Sequence, residues 1–216
     1  MNLLSSGRLS LVILVSCFSA QSFAVIPTDQ VVINSITNLN DSQATPAKAI
    51  LINRTQEIHL LSGELAYLSG VTFENAGRNF WGGYILTRPK LKQSRILEFG
   101  GQANHFKLYT VQYHAKPIQL VAIESAASGQ GEVSQTTDLL YFDGWKAKII
   151  ATAESSSDPG RFSEKLGEED CKTGEEIVSS LKILPSRNEV IKTIQSSNAC
   201  KNAKVTTQTE TIKIEL

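Results

Sequence analysis

A repeated pattern between His105 and Ser157 limits what this chain can fold into. An apolar run meets a tight turn, a second apolar run follows, and a polar serine-bearing loop closes the unit. In the first unit Phe106, Leu108 and Val111 lead into His114-Ala115-Lys116-Pro117, then into the apolar run 118–123, then into Glu124-Ser125-Ala126. In the second, the run 139–142 leads into Asp143-Gly144, then Trp145 and the run that ends at Ala153, then Glu154-Ser155-Ser156. Apolar runs this short, bounded by turn residues, are strands rather than helices. Asp-Gly between two of them is a hairpin turn, because glycine accepts the positive φ that such turns require. Pro117 cannot donate to a ladder and is placed at a turn corner.

Glu124-Ser125 recurs as Glu154-Ser155 after 30 residues, and Gln195-Ser196-Ser197 gives a degenerate third copy. Repetition of this kind implies hairpins that cannot bury their apolar faces alone and must stack on one another. The expected fold is all-β: an antiparallel meander of repeated hairpins, sandwich-like or partially propeller-like. Upstream, Val31, Val32, Ile33 and Ile36 predict a first strand over 30–37, followed by a polar loop over 38–47. Ser186 with Glu189 three residues on fits a helix capping box, so a short C-terminal helix is the alternative to a strand there. Val, Ile and Thr over 189–194 favour the strand. Residues 205–216 alternate and predict a half-buried terminal strand.

Residues 1–24 read as a signal peptide. Arg8 is the only charge in the first 28 residues, the run 9–18 is apolar apart from two serines, and Ser22-Phe23-Ala24 sets cleavage after Ala24. A competing reading takes Leu14-Val15-Ser16-Cys17 as a lipobox, with Cys17 lipidated. The apolar run is too short to span a bilayer, and no second one follows. Residues 25–216 are then one exported domain, periplasmic or secreted, or lipid-anchored at the envelope if Cys17 carries the tether. Export leaves Cys171 and Cys200, an even pair in an oxidising compartment, which implies a disulfide stapling the C-terminal part. The loop it closes is worth roughly 3–4 kcal/mol through chain entropy.

Lys+Arg and Asp+Glu balance at 21 each, so no basic surplus draws the chain to phosphate backbones, and nucleic acid is not an expected partner. Catalytic serine elbows, zinc-binding helices, phosphate loops and dinucleotide fingerprints are all missing from the sequence, so no cofactor or metal is expected. The acidic insertion over 158–174 reads as a solvated loop rather than a cation site.

Two groups remain as binding candidates. The polar island 98–105 places Glu98, Gln102, Asn104 and His105 around a double glycine, and convergent polar groups can line a cleft. Trp81, within the glycine-dense stretch 77–83, and Trp145, beside a turn, are aromatics suited to stacking on a sugar or gripping a protein. The expected function is non-enzymatic binding of a protein or glycan through loops. The alternatives are a structural envelope lipoprotein held by Cys17, and a hydrolase using Glu98 and His105 as an acid–base pair.

Overall fold

The computed structural model describes residues 25–39, 49–77, 81–129, 132–157, 175–198 and 204–216. The signal segment, Cys17, the insertion 158–174 and both Cys171 and Cys200 lie outside them.

Two antiparallel sheets form, and within each sheet the strands pair in sequence order. The first holds β1 (Ala49–His59), β2 (Leu65–Glu74), β3 (Gly82–Arg88) and β4 (Gln93–Gly101) in that order. The second holds β5 (Ala103–Tyr113), β6 (Lys116–Gly129), β7 (Glu132–Asp143), β8 (Lys146–Ser157), β9 (Glu175–Leu184), β10 (Glu189–Asn198) and β11 (Thr206–Lys213). This is the expected meander, laid down as packed sheets and not as a radial array of blades.

The continuous apolar runs follow from burial on both faces. In β6, Val121 and Ile123 face the first sheet and join Leu68, Tyr84, Leu86, Phe106, Leu140 and Phe142. Ile118, Leu120 and Ala122 face the other way and meet Val111, Leu139, Ala151, Val190 and Ile214. Strands β5–β8 are therefore a middle layer. The first sheet covers one face, and β9–β11 fold over the other. That fold-over is possible because β8 and β9 pair only at Ser156–Ile177 and Ser157–Glu176. One residue further back the Ser155 hydroxyl bridges the widening gap, accepting from Ser179 N–H at 2.9 Å and reaching its carbonyl at 3.2 Å.

Several sequence expectations are corrected. Residues 30–37 are not a strand: α1 (Asp29–Asn34) takes up 30–34, and beyond it Ile36 makes only an isolated bridge to Ser94. Val32 on α1 and Ile36 just beyond its end pack with Val71, Phe73, Ile85 and Ile96 on the outer face of the first sheet, so one-sided burial outweighs β-branched propensity. The polar stretches 124–128 and 154–157 are not loops. They are the outer halves of β6 and β8, hydrogen-bonded to Thr, Gln and Ser of β7. Pro117 is the second residue of β6, opposite Gln112, and β7 does not reach β6 until Val121. Its missing N–H therefore leaves no ladder bond unmade. Over 186–194 the strand forms, after a single 3₁₀ turn at Pro185–Arg187. The expected half-burial of 205–216 is confined to its end: residues 206–211 of β11 are exposed on both faces, whereas Ile212, Ile214 and Leu216 pack on the core and Lys213 and Glu215 between them are exposed.

The expected Asp143-Gly144 turn is present. Asp143 pairs with Lys146 across a two-residue loop in which Gly144 has φ +61°.

Candidate functional site

An open cleft of about 700 Å³ lies where β2 ends, β3 begins and the chain crosses from the first sheet to the second. Thr72, Phe73, Glu74, Asn75, Trp81, Gly82, Gln102 and Asn104 line it. Glycine makes this corner possible. Gly82 pairs with Gly101 and Gly83 with Gly100. A Cβ on Gly83 would overlap the Phe73 ring, and one on Gly101 would overlap the Ala126 carbonyl. The bare backbone lets Gln102 N–H donate to that carbonyl at 2.6 Å, welding the crossover to β6.

The polar side chains of the walls are tied into the protein. Gln102 Nε2 donates to Ser128 O at 2.8 Å, and Ser128 Oγ donates back to Gln102 Oε1 at 2.7 Å. Asn104 Nδ2 donates to Val71 O, and its Oδ1 accepts from Asn53 Nδ2 at 3.3 Å. Asn53 also donates to Thr72 Oγ1 at 3.0 Å. These amides act as struts.

What faces solvent is the indole of Trp81, 47% exposed, with the exposed Glu74 and Asn75 beside it. The indole is held in place. Its Nε1–H donates to Ala76 O at 3.1 Å, and its own carbonyl accepts from Phe73 N–H at 2.7 Å. Asn75 sits at φ +61°, so the β2 end turns sharply and brings Ala76 O to the N–H edge of the indole.

Three of the six sequence candidates, Trp81, Gln102 and Asn104, therefore meet in one cleft. The other three lie elsewhere. Glu98 is exposed on β4 and alternates with Leu97 and Phe99, which face the core between the sheets, so it points off the outer face of the first sheet. His105 lies on the face of β5 opposite to Phe106. Its Nδ1 is 3.4 Å from Glu124 Oε2, and Lys107 Nζ is 3.8 Å from Glu124 Oε1. Glu98 and His105 are thus separated by the layers and form no acid–base pair. Among the described residues that line the cleft, Glu74 is the ionisable one.

Trp145 belongs to a different construction. It lies against the core between the two sheets, with the Arg88 and Arg95 guanidinium carbons 5.1 and 4.7 Å from its ring centroid. Arg88 is in turn gripped by Glu64 through two hydrogen bonds of 3.0 and 2.6 Å. That hydrogen bonding, more than charge alone, holds the Glu64 carboxyl below its usual range. Trp81 and Trp145 stand at opposite ends of β3, on the order of 20 Å apart at the rise of an extended strand.

The sequence reading missed Thr72, Glu74 and Asn75. The signal was Glu74-Asn75, an Asx-type strand end next to the glycine-dense stretch. Among the described residues no cluster of three His, Cys, Asp or Glu side chains is placed to hold a metal ion, and no helix is long and apolar enough to cross a membrane.

Fold and site together define an all-β protein of stacked antiparallel meanders with an open cleft fronted by one aromatic ring. Comparison with protein-family models, with curated proteins and with solved structures gave no match.

Proposed function

We propose that this is an exported, non-enzymatic binding protein whose ligand is a glycan seated on Trp81. The observation that carries the reading is the half-exposed indole, fixed by its bond to Ala76 O at the mouth of the cleft. A pinned aromatic face stacks on the C–H face of a sugar ring without losing further side-chain entropy. Glu74, Asn75 and Thr72 surround it with the carboxylate, amide and hydroxyl groups that exchange hydrogen bonds with sugar hydroxyls. A protein ligand would call for a broader apolar surface than one ring supplies.

The test is fluorescence titration of a Trp145→Phe variant, in which Trp81 is the sole emitter, against oligosaccharides chosen from a glycan array. Saturable change in Trp81 emission is expected, with at least a tenfold loss of affinity in Trp81→Ala. An array without signal, and flat titrations to millimolar sugar, would remove the proposal.

The export part rests on residues 1–24. It is supported by Tyr67, whose hydroxyl donates to Val25 O at 3.2 Å, so that the chain just beyond Ala24 belongs to the fold. Mass spectrometry of the mature protein distinguishes a free Val25 from a lipidated Cys17. Non-reducing peptide mapping tests the Cys171–Cys200 disulfide.

A further inference from the structure

The free strand edges of this protein are treated unequally. β1 is broken by a bulge between Ile52 and Arg54. β4 is covered by the chain before it: Thr37 N–H donates to Ser94 O at 3.0 Å, Ser94 N–H to Ser35 O at 2.8 Å, and Asn38 pairs its side-chain amide with Ile96. β8 has a bulge opposite Leu139–Leu140 and carries the exposed Lys146 and Lys148. β5 bears the exposed Lys107 at mid-strand and touches the Pro185–Arg187 turn. Bulges, lysines and covering segments are the devices that keep sheet edges from pairing with other chains.

β11 has none of them. It runs eight residues in unbroken register against β10. It contains neither proline nor glycine, and four of its residues are β-branched threonines. Its one lysine, Lys213, is at the end and is bound to Glu189 at 2.6 Å. Among the described residues nothing pairs with its outer side.

We propose that β11 pairs antiparallel with β11 of a second copy of this chain, joining two seven-stranded sheets into one. The sequence is compatible with itself when the pairing is centred on Thr209. A two-fold axis normal to the sheet keeps like faces together, so opposed residues must share parity. Centring on Thr209 sets Thr207 against Thr211, Gln208 against Glu210 and Thr206 against Ile212. Centring on Glu210 would set the two carboxylates face to face. Thr–Thr and Gln–Glu pairs are favourable cross-strand neighbours. Both faces of residues 206–211 are already solvated, so pairing the edge buries no unpaired charge. A formal net charge of zero puts no global repulsion in the way.

One strand pair is smaller than a standard interface, so weak association in the micromolar range is expected. The experiment is sedimentation velocity on the full chain as exported, over concentrations up to about 200 µM. Concentration-dependent dimer is expected for the wild type, and monomer for Thr209→Lys, which sets two ammonium groups together on the axis. Gln208→Lys, which opposes Glu210 in both half-sites, is expected to tighten the dimer by about fivefold, and Gln208→Glu to weaken it. Each side chain is exposed, so the melting temperature of dilute protein stays constant and reports that the variant is folded. A wild type monomeric throughout, or a dimer indifferent to Thr209→Lys, overturns the proposal.

Discussion

The hydroxyl of Tyr84, on β3 of the first sheet, accepts the backbone N–H of His105, on β5 of the second, at 2.8 Å. The same hydroxyl donates to Glu124 O at 2.5 Å, with His105 O at 2.9 Å. Tyr84 is fully buried, and burial pushes its hydroxyl far above the usual tyrosine range, so it is a permanent neutral donor. The ring packs edge-on against Phe106 at 6.2 Å. A single side chain thus fastens the β5–β6 hairpin to the sheet that covers it. Tyr84→Phe keeps the ring contact but strands a buried N–H and a buried carbonyl. The expected cost is about 2 kcal/mol in urea unfolding, with faster amide exchange at His105 than at Leu108 as the local signature.

The glycines at the crossover differ sharply in what they tolerate. A Cβ on Gly101 would collide with the Ala126 carbonyl, which is backbone and cannot rotate away, whereas Gly129 has open space around it. Gly101→Ala is expected to cost about 2–3 kcal/mol, as overpacking does, and to loosen the cleft wall held by Gln102. Gly129→Ala is expected to be neutral or slightly stabilising. Thermal melts of the pair check both. A Gly101→Ala protein as stable as the Gly129→Ala one would show that the crossover is not welded at Ala126.

The meander was readable because turn chemistry and apolar runs mark strands locally. His114-Ala115 and Asp143-Gly144 punctuate the chain as hairpins do, and the runs 118–123 and 139–142 carry burial on two faces in their lack of alternation. Strand length was not readable. Glu124 to Ser128 contain nothing apolar enough to name a strand, and they pair because β7 continues alongside with Thr137, Thr136 and Gln135. The α1 segment misled for the reverse reason: four β-branched residues outvoted a stripe that only docking on Phe73 and Ile85 reveals. At the cleft, Trp81, Gln102 and Asn104 are drawn together by the crossover. Neighbours in sequence such as Glu98 and His105 are sent apart by it. Proximity along a chain says little once a strand ends and the next begins in another sheet.

Two hairpin loops carry the same geometry with different residues. After β3, Pro89-Lys90-Leu91 makes a 3₁₀ turn and Lys92 follows at φ +53°. After β9, Pro185-Ser186-Arg187 does the same, with Asn188 at φ +51°. Asparagine tolerates this left-handed conformation and lysine does not, so the first loop is strained where the second is relaxed. Lys92→Gly is expected to raise stability by about 1 kcal/mol, and Asn188→Gly to change it little. The β5–β6 turn holds both His114 and Ala115 at positive φ, +47° and +59°. This is the pairing for which Asn-Gly is the preferred sequence. Ala115→Gly is therefore expected to stabilise by a similar amount, read as a shift in the urea midpoint with unchanged slope.

The Glu64–Arg88–Trp145 stack makes stability depend on acid. Glu64 and Arg88 side chains are 14% and 15% exposed, and the Arg88 hydrogen bonds hold the Glu64 carboxyl below its ordinary value near 4.5. A depressed carboxyl binds its proton more readily in the unfolded chain than in the folded one. Its stabilisation is therefore complete above about pH 4.5 and is lost as pH falls through the lower folded value. The pair still touches solvent, so its worth is modest, about 1 kcal/mol. Glu64→Gln is expected to lose that amount at neutral pH and to flatten the acid limb of the stability curve below pH 4.5. Trp145→Ala removes the surface on which Arg88 and Arg95 rest and a side chain packed on the core between the sheets. It is expected to cost more, about 3 kcal/mol, without changing the shape of the acid limb. Urea midpoints from pH 3 to pH 7 for the three proteins separate the charge contribution from the packing contribution. An acid limb unchanged in Glu64→Gln would assign the pH dependence to other carboxylates.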